Sequence, residues 1–229
     1  MLGIIRRCFI ILNEQDALDA AFNYEEEGRT IVFDLDNTLF PEDEFLNLAY
    51  AEFSRKISYQ NSLEASQIHS YLIERLHANF RGSMIQDLSA KFKIPFEHCE
   101  KLFFHCLRGS FIDKNIELFD WASTFIEKSS KLHNCAIITN GNVRQQSKKI
   151  NLLWQLRKFR SDRIIFANAY APKPSPISAK VLENSMRCHS PVYFGDDVID
   201  GEFAEAAGWA FFKVEFYRTR SDTGFGEIS

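Results

Sequence analysis

Two carboxylates stand one residue apart, directly after a short apolar run. The run is Thr30–Phe33, and Asp34 and Asp36 follow it in the stretch FDLDNTLF. Like charges this close together repel each other unless a cation, a proton or a set of strong donors relieves the repulsion. Residues two apart in an extended segment point to the same side, so both acids can face one reacting group. The pair therefore predicts a site that holds a cation or moves a proton.

Polar groups also follow three other apolar runs of the chain. Ligands of an open parallel sheet bind outside the carboxyl ends of its strands, so groups that follow different strands can meet at one edge. We expect such a meeting here. In chain order the groups are Thr139, Asn140 and Gly141 in TNG, Lys173 in APKPSP, and Asp196, Asp197 and Asp200 in GDDVID.

These residue types are suited to phosphoryl transfer. A carboxylate such as Asp34 can attack phosphorus and form an aspartyl-phosphate, which divides one difficult displacement into two steps. Because two anions must approach each other, a divalent cation is needed, and Asp34 and Asp196 can offer Mg²⁺ the carboxylates that it prefers. Lys173 offers a positive charge to the phosphoryl oxygens, and Thr139 and the Asn140–Gly141 amides offer hydrogen bonds.

Asp36 then has a task different from that of Asp34. It can protonate the leaving oxygen while Asp34 attacks, and later accept a proton from the hydrolytic water. Paired carboxylates in different surroundings can divide the work of acid and nucleophile in this way. One acid is thus predicted to attack phosphorus and the other to transfer the proton.

The elements that must position these groups alternate along the chain. Apolar runs at residues 30–33, 135–139, 163–167, 191–194 and 209–214 predict strands. Helical patterns at 116–131, 143–158, 175–187 and 198–207 separate the later runs, and Gly208 is a predicted C-cap. Strands that are apolar throughout and alternate with helices predict an α/β fold whose parallel sheet is covered on both faces.

A long helical stretch interrupts this alternation between the first two strands. A parallel crossover needs only about a dozen residues, but here residues 44–113 carry helical patterns alone. We therefore predict an N-terminal extension packed on the core (1–29), a core made of 30–43 and 114–229, and an inserted helical cap (44–113).

Composition limits the classes of partner. The chain has 229 residues, of which 45% are hydrophobic and 25% charged, as in a globular protein. A net charge of -4 favours neither nucleic acid nor an anionic membrane as a partner. No stretch reaches the roughly 18 apolar residues of a membrane-spanning helix. The five cysteines are an odd number without close pairing, which favours reduced thiols in a cytoplasmic protein.

One histidine and cysteine pattern, EHCEKLFFHC, resembles a metal motif only superficially. His98 and Cys99 are repeated at His105 and Cys106, seven residues later. On a helix this spacing is a rise of about 10.5 Å, too long for ligands of one zinc ion. The pattern therefore predicts no zinc site.

The four polar segments, taken in order, resemble a known set of motifs. FDLDNTLF, AIITNG, the lysine of APKPSP and FGDDVID are similar to the four motifs of the haloacid dehalogenase superfamily, and the helical insert resembles its C1 cap. The resemblance covers residues 30 to 215. It implies a Mg²⁺-dependent phosphohydrolase on a Rossmann-like core, with Asp34 as the nucleophile and Asp36 as the acid/base whose main-chain carbonyl also contacts Mg²⁺. It further implies that Thr139 and Lys173 hold the phosphoryl group and that Asp196 binds the metal.

The resemblance also suggests supporting roles nearby. Asp200 is expected to support the metal through water or to orient Lys173. Asp197 stands where members of the superfamily often carry a small polar residue, so its supporting role departs from the usual pattern. Residues 35–41 are expected to form the flexible turn that couples cap closure to the site.

The substrate stays open within one chemical class. Residues 42–115 contain nine Lys or Arg and ten Asp or Glu, which favours a small phosphorylated metabolite, such as a nucleotide or sugar phosphate, over a polyanion. A phosphomutase and a non-catalytic phosphate-binding protein on the same fold are the alternatives. Halide displacement is disfavoured because attack on carbon needs neither Asp36 nor a metal at Asp196. Either a monomer or a homodimer is compatible with the sequence.

Overall fold

The protein is an α/β fold built on one parallel sheet of six strands. The computed structural model describes residues 8–11, 28–78, 81–109, 114–132 and 134–214. All five predicted strands are present, with ends that differ from the prediction by at most one residue. The strands are β1 (Cys8–Ile11), β2 (Thr30–Phe33), β3 (Asn134–Thr139), β4 (Ile164–Phe166), β5 (Val192–Gly195) and β6 (Ala210–Val214).

The first strand was not predicted from the sequence. Cys8–Ile11 pairs in parallel with β6, Cys8 opposite Phe211 and Ile11 opposite Val214. The strand is only four residues long and follows two arginines, which interrupt the apolar pattern. The pattern was therefore interpreted as a packed or amphipathic extension and not as a strand. The rest of the predicted N-terminal extension, residues 1–7 and 12–27, lies outside the described residues.

The strand order places β2 at the centre of the sheet. The order is β1-β6-β5-β2-β3-β4, so the chain proceeds in one direction from β2 through β3 to β4 and returns on the other side of β2. In open α/β sheets ligands bind at such a reversal, outside the carboxyl ends of the strands. Asp34 directly follows β2 and Asp196 directly follows β5, its neighbour.

Alternating residues of the central strands point to opposite faces of the sheet, and aromatic side chains are buried on both faces. On one face Phe33 contacts Phe125, with ring centroids 5.7 Å apart, and Phe194, at 5.5 Å. On the other face Val32 and Tyr193 belong to an apolar cluster with Phe203 and Trp209. Burial on both faces explains why these strands are apolar throughout their length.

Eight helices are described. They are α1 (Glu42–Asn61), α2 (Ala65–His77), α3 (Met84–Phe92), α4 (Phe96–Arg108), α5 (Asp120–Leu132), α6 (Val143–Leu152), α7 (Ile177–Ser185) and α8 (Val198–Ala207). The helix predicted at 143–158 ends as an α-helix at Leu152 and continues as a 3₁₀ helix, Trp154–Lys158. Gly208 ends α8 with a positive φ of 74°, as predicted for a C-cap.

The chain divides into two compact units. Unit 1 contains residues 1–40, 118–140 and 158–229, and unit 2 contains residues 41–117 and 141–157. Unit 2 holds the four helices of the predicted cap together with α6. The predicted cap boundaries, 44–113, stay a prediction. Among the described residues no helix combines the length and the apolar character needed to cross a membrane.

Candidate active site

Asp34 is held at the end of β2 by the sheet itself. Its backbone N–H donates to the carbonyl oxygen of Phe194 at 2.8 Å, which continues the pairing between β2 and β5. The residue is only 6% exposed. Lys173 donates to its Oδ1 at 2.6 Å, and no other described residue hydrogen-bonds its side chain. Asp34 is thus a fixed carboxylate with one oxygen engaged.

Lys173 reaches this carboxylate from the loop between β4 and α7. Its Nζ donates to Asp34 Oδ1 and Asp200 Oδ1, both at 2.6 Å, and to the hydroxyl of Tyr193 at 2.9 Å. An ammonium group has three N–H donors, so these three acceptors satisfy the buried group completely. The lysine is therefore held in one position by a full set of partners.

Asn140 fixes the backbone of the same loop. Its side-chain oxygen accepts from the Lys173 N–H at 2.8 Å, and its side-chain nitrogen donates to the Lys173 carbonyl oxygen at 3.3 Å. The asparagine side chain therefore positions Lys173. Thr139 ends β3 beside it and is 1% exposed. The phosphate contacts expected of Thr139 and Asn140 stay predictions.

Three carboxylates converge at the edge of the sheet. Oxygen atoms of Asp34, Asp196 and Asp200 lie within 4.8 Å of one another. Thr38 donates from its hydroxyl to Asp196 Oδ1 at 3.2 Å. The sequence predicts that Asp34, Asp196 and Lys173 lie at one edge of the sheet. In the structure these three residues lie close together, and Asp200 joins them.

Asp36 lies in the turn that follows β2. The turn is closed by hydrogen bonds from the Asn37 N–H to the Phe40 carbonyl oxygen at 2.9 Å and from the Leu39 N–H to the Leu35 carbonyl oxygen at 3.0 Å. Asn37 has a positive φ of 55°, which asparagine tolerates better than most residues. Asp36 is half-buried and lies outside the three-carboxylate cluster. Its acid/base and metal roles, and the flexibility of residues 35–41, stay predictions.

Asp197 and Asp200 form a capping box at the start of α8. The Asp197 side chain accepts from the Ile199 N–H at 3.4 Å, and the Asp197 N–H donates to Asp200 Oδ2 at 3.2 Å. Such reciprocal bonds satisfy donors that the first turn of a helix leaves open. Asp200 uses its other oxygen for Lys173, so it fits the expectation that it orients the lysine. Asp197 is exposed and serves the helix end.

The close approach of Asp200 requires a glycine on β5. A Cβ atom at Gly195 would lie 2.4 Å from Asp200 Oδ2 and 2.5 Å from its Cβ. No side chain fits there without displacing Asp200 from Lys173. The glycine of GDDVID is therefore a requirement of the site.

Burial makes this cluster electrostatically costly without a further cation. Burial raises the pKa of Asp34 to about 8, although Lys173 opposes the shift, and the charges of Asp200 and Asp36 add to it. Burial, with the charge of Asp200, also raises the pKa of Asp196 to about 6. Burial alone would lower the pKa of Lys173, but Asp34, Tyr193 and Asp200 raise it well above its ordinary value. One ammonium does not compensate this group of acids.

The donor set fits a hard divalent cation. Carboxylate oxygens are ligands that Mg²⁺ prefers, and Asp34 and Asp196 present them within one small space. A cation there would stabilise the ionised form of both carboxylates and so oppose the burial and the repulsion that raise their pKa values. On the chemistry of its donors, the cluster is a candidate metal centre.

Two residues of the site were missed in the sequence. Tyr193 packs its ring against Phe203, with centroids 5.0 Å apart, and donates from its hydroxyl to the carbonyl oxygen of Ile138 at 2.9 Å. It lies inside the apolar run 191–194, which predicts a strand and no site residue, although a buried tyrosine hydroxyl needs a polar partner. Thr38 was assigned no role, although its place in FDLDNTLF, two residues after Asp36, was a signal that could have identified it.

Fold and site together define an α/β protein that gathers acids and a lysine at the carboxyl edge of a parallel sheet. The sequence profile of the haloacid dehalogenase-like hydrolases matches residues 31–214. The chain belongs to this family, and it is a hydrolase-type enzyme of that superfamily.

Solved structures share the fold at low sequence identity. YfnB from Bacillus subtilis, a candidate HAD hydrolase solved with bound magnesium, is 17% identical with a TM-score of 0.53, covering 81% of this chain and 86% of its own. A candidate β-phosphoglucomutase from Thermotoga maritima is 17% identical with a TM-score of 0.53, covering 83% and 87%. A HAD-superfamily hydrolase from Ehrlichia chaffeensis is 20% identical with a TM-score of 0.51, covering 86% and 94%. No curated protein sequence matches this chain.

Proposed function

We propose that this protein is a Mg²⁺-dependent phosphomonoester hydrolase that acts on a small phosphorylated metabolite through an aspartyl-phosphate intermediate. The observation that carries the proposal is the meeting of Asp34, Lys173 and Asp196 at the carboxyl edge of the sheet. The family assignment supports hydrolysis. The magnesium bound to YfnB supports the choice of metal.

In the first step a free oxygen of the Asp34 carboxylate attacks phosphorus. The bond between phosphorus and the substrate oxygen breaks, and Asp36 gives that oxygen a proton, so the alcohol leaves neutral. Lys173 holds Asp34 through its Oδ1 and leaves Oδ2 for the attack. Its positive charge also favours the approach of the phosphoryl group.

In the second step water attacks the aspartyl-phosphate. Asp36 takes a proton from the water, the new phosphorus–oxygen bond forms, and the bond to Asp34 breaks to release phosphate and the free carboxylate. Asp34 and Asp196, with the main-chain carbonyl of Asp36, would hold Mg²⁺. The metal would supply neutralisation of the negative charge shared by the carboxylates and the phosphoryl oxygens.

The proposal is tested by release of free phosphate. Purified protein is incubated with Mg²⁺ and a panel of nucleotide and sugar phosphates, and kcat/KM is measured for each. We expect Asp34→Asn to lower kcat/KM by about a thousandfold or more, because the nucleophile is lost. Glu202→Gln is the control, because it removes an exposed carboxylate of α8 that lies outside the carboxylate cluster; it should retain activity.

Each other outcome has its own meaning. Unchanged hydrolysis in Asp34→Asn would refute the nucleophile, and unchanged hydrolysis in EDTA would refute the metal. Transfer of the phosphoryl group to another hydroxyl, without free phosphate, would identify the phosphomutase alternative. A non-catalytic protein predicts the loss of a chemical residue, whereas Asp34, Lys173 and Asp196 are all present.

The biological setting is also a proposal. We infer a cytoplasmic protein, monomeric or homodimeric, whose partner is a small phosphorylated substrate. The net charge of -4 supports the view that nucleic acid and membranes are not partners.

A further inference from the structure

A groove lined by basic residues lies within unit 2, among residues that take no part in the carboxylate cluster. It has a volume of about 630 Å³, and α4 and α6, which pack against each other, supply its basic lining. We call it the basic groove. Its basic residues are His98, Lys101, His105 and Arg108 of α4 and Arg144 of α6.

The arrangement on α4 follows the helical repeat. Positions three, four and three residues apart share one helix face, and the four basic residues of α4 have this spacing. Cys99 and Cys106, which neighbour His98 and His105 in the sequence, are fully buried instead. The repeated His-Cys pattern thus divides between a buried face and a basic exposed face.

The permanent charges of the groove have no acidic partners in the described part of the chain. Its described lining includes no Asp or Glu. Nor does any described carboxylate form an ion pair with Lys101, Arg108 or Arg144. Three cations therefore face one concave space, and no carboxylate of the described residues is paired with them.

Helix stability does not explain this convergence. The last turn of α4 favours His105 and Arg108, because a cation is stabilised at the C-terminal end of a helix dipole. Lys101 lies before that turn and gains little from it. Arg144 lies in the first turn of α6, where the dipole opposes a cation and no acid is present. An anion in the groove would relieve this repulsion.

The groove also has an apolar side. Phe104 is 38% exposed, and the guanidinium carbon of Arg108 lies 4.3 Å from the centre of its ring. The Arg108 Nε is buried and donates no hydrogen bond to any described residue. Leu102 adds further apolar lining. Stacking on an aromatic ring holds a guanidinium in place without using the N–H groups in its plane.

We propose that the basic groove binds a small organic phosphate, with the phosphate held by Lys101, Arg108 and Arg144 and the organic part against Phe104 and Leu102. Small-molecule sites have volumes of about 300–1,000 Å³, a range that includes this groove. Inorganic phosphate alone would leave the apolar side uncovered. The proposal goes beyond the proposed function, because it concerns residues of unit 2 alone and does not depend on hydrolysis at Asp34.

Calorimetry with phenyl phosphate, which joins one phosphate to one ring, tests the site. The full chain carries Asp34→Asn and the buffer contains EDTA, so the probe is not consumed. We expect saturable binding in the millimolar range or tighter. Arg108→Gln and Arg144→Gln should each weaken it about tenfold or more, the usual effect of losing a charge-assisted hydrogen bond. Lys180→Gln, which removes an exposed cation of α7, is the matched control and should leave the affinity unchanged.

A second variant tests the apolar side. Phe104→Ser should weaken phenyl phosphate while leaving the affinity for inorganic phosphate unchanged. Equal loss for both probes, or none for either, would refute the organic part of the proposal.

Two results would overturn the site itself. One is the absence of saturable binding. The other is binding that neither arginine variant changes, which would locate the probe elsewhere. The melting temperature of each variant shows whether it is folded. If Arg108→Gln melts at a lower temperature than the wild type, the affinities of Arg144→Gln and Lys101→Gln test the site instead. Since hydrolysis is measured separately with active protein, failure here leaves the test of the proposed function intact.

Discussion

Two buried lysines of this protein have opposite surroundings. In unit 2 Lys149 is fully buried, and its Nζ lies 2.9 Å from Glu42 Oε1. Arg81 lies 2.9 Å from Glu42 and 3.8 Å from Asp43, so two cations meet two acids. In unit 1 Lys173 lies between Asp34 and Asp200, with Asp196 in the same carboxylate cluster. The first lysine belongs to a balanced ion cluster, and the second belongs to a cluster with excess negative charge.

The acids respond differently to the two environments. Burial by itself would raise the pKa of Glu42, but Lys149 and Arg81 outweigh it and lower that pKa below its ordinary value. At the other cluster the pKa of Asp34 rises to about 8 despite Lys173. A buried ion cluster that satisfies itself is suited to holding a fold, whereas one that remains unbalanced is suited to binding a cation. The comparison therefore separates a structural lysine from a candidate catalytic one.

The largest expected effect is on catalysis. Lys173→Met should lower kcat/KM by about a thousandfold, since it removes the charge that holds Asp34 and attracts the phosphoryl group. The measurement is phosphate release with Mg²⁺ on the best substrate of the panel. Lys149→Met should retain the kcat of the folded fraction. Similar losses of kcat in both variants would end the distinction between the two lysines.

The second effect is on stability. Lys149→Met should lower the free energy of unfolding by about 3 kcal/mol, because it removes a buried cationic partner of the Glu42 carboxylate, which Arg81 then compensates only in part. Urea unfolding measures the change. The double variant Glu42→Gln/Lys149→Met should recover most of the loss, because the side chain that lost its ammonium partner is then neutral and Arg81 still has Asp43 at 3.8 Å. A double variant as unstable as the single one would show that the pair contributes through packing instead.

A third effect sharpens the electrostatic contrast through pH. The folded pKa of Asp196, about 6, lies above the roughly 3.9 of an unfolded aspartate. The folded state therefore binds more protons across this window, and the stabilising contribution present below about pH 4 is lost as pH rises through about 6. In EDTA, Asp196→Asn should melt above the wild type near neutral pH, and the difference should shrink toward pH 4.

The same variant gives the metal test. Mg²⁺ should raise the melting temperature of the wild type, because ligand binding to the folded state stabilises it. It should raise that of Asp196→Asn much less. Equal stabilisation of both proteins would place the metal elsewhere.

The smallest expected effect concerns Tyr193. Tyr193→Phe removes the acceptor of one Lys173 N–H and the donor to the Ile138 carbonyl, and should cost about 1–3 kcal/mol of stability. We expect kcat/KM to fall about tenfold, since 1.4 kcal/mol of lost positioning corresponds to that factor. Tyr170→Phe is the control, because Tyr170 is 57% exposed on the same unit. Equal kcat/KM in the Tyr193 variant and the wild type would show that Tyr193 contributes to core packing and not to the positioning of Lys173.

Much of the site was accessible from the order of residues along the chain. Asp34, Lys173 and Asp196 each follow a short apolar strand, and parallel strands bring their carboxyl ends to one edge. β1 was missed because Arg6 and Arg7 interrupt the apolar pattern directly before it. The helix α6 was predicted too long because helical periodicity continues into the 3₁₀ helix at Trp154–Lys158. Tyr193 was missed because its ring is core while its hydroxyl belongs to the site.

The sequence by itself determined the fold class, the strand ends that carry the acids and the family. These follow from local patterns, because apolar periodicity and motif spacing are properties of neighbouring residues. Only the tertiary structure decided that Lys173 joins Asp34 to Asp200, that Lys149 is buried beside Glu42, and that Lys101, Arg108 and Arg144 face one groove. The physical reason is that the energy of a charge depends on its burial and on partners far along the chain, which no local pattern records.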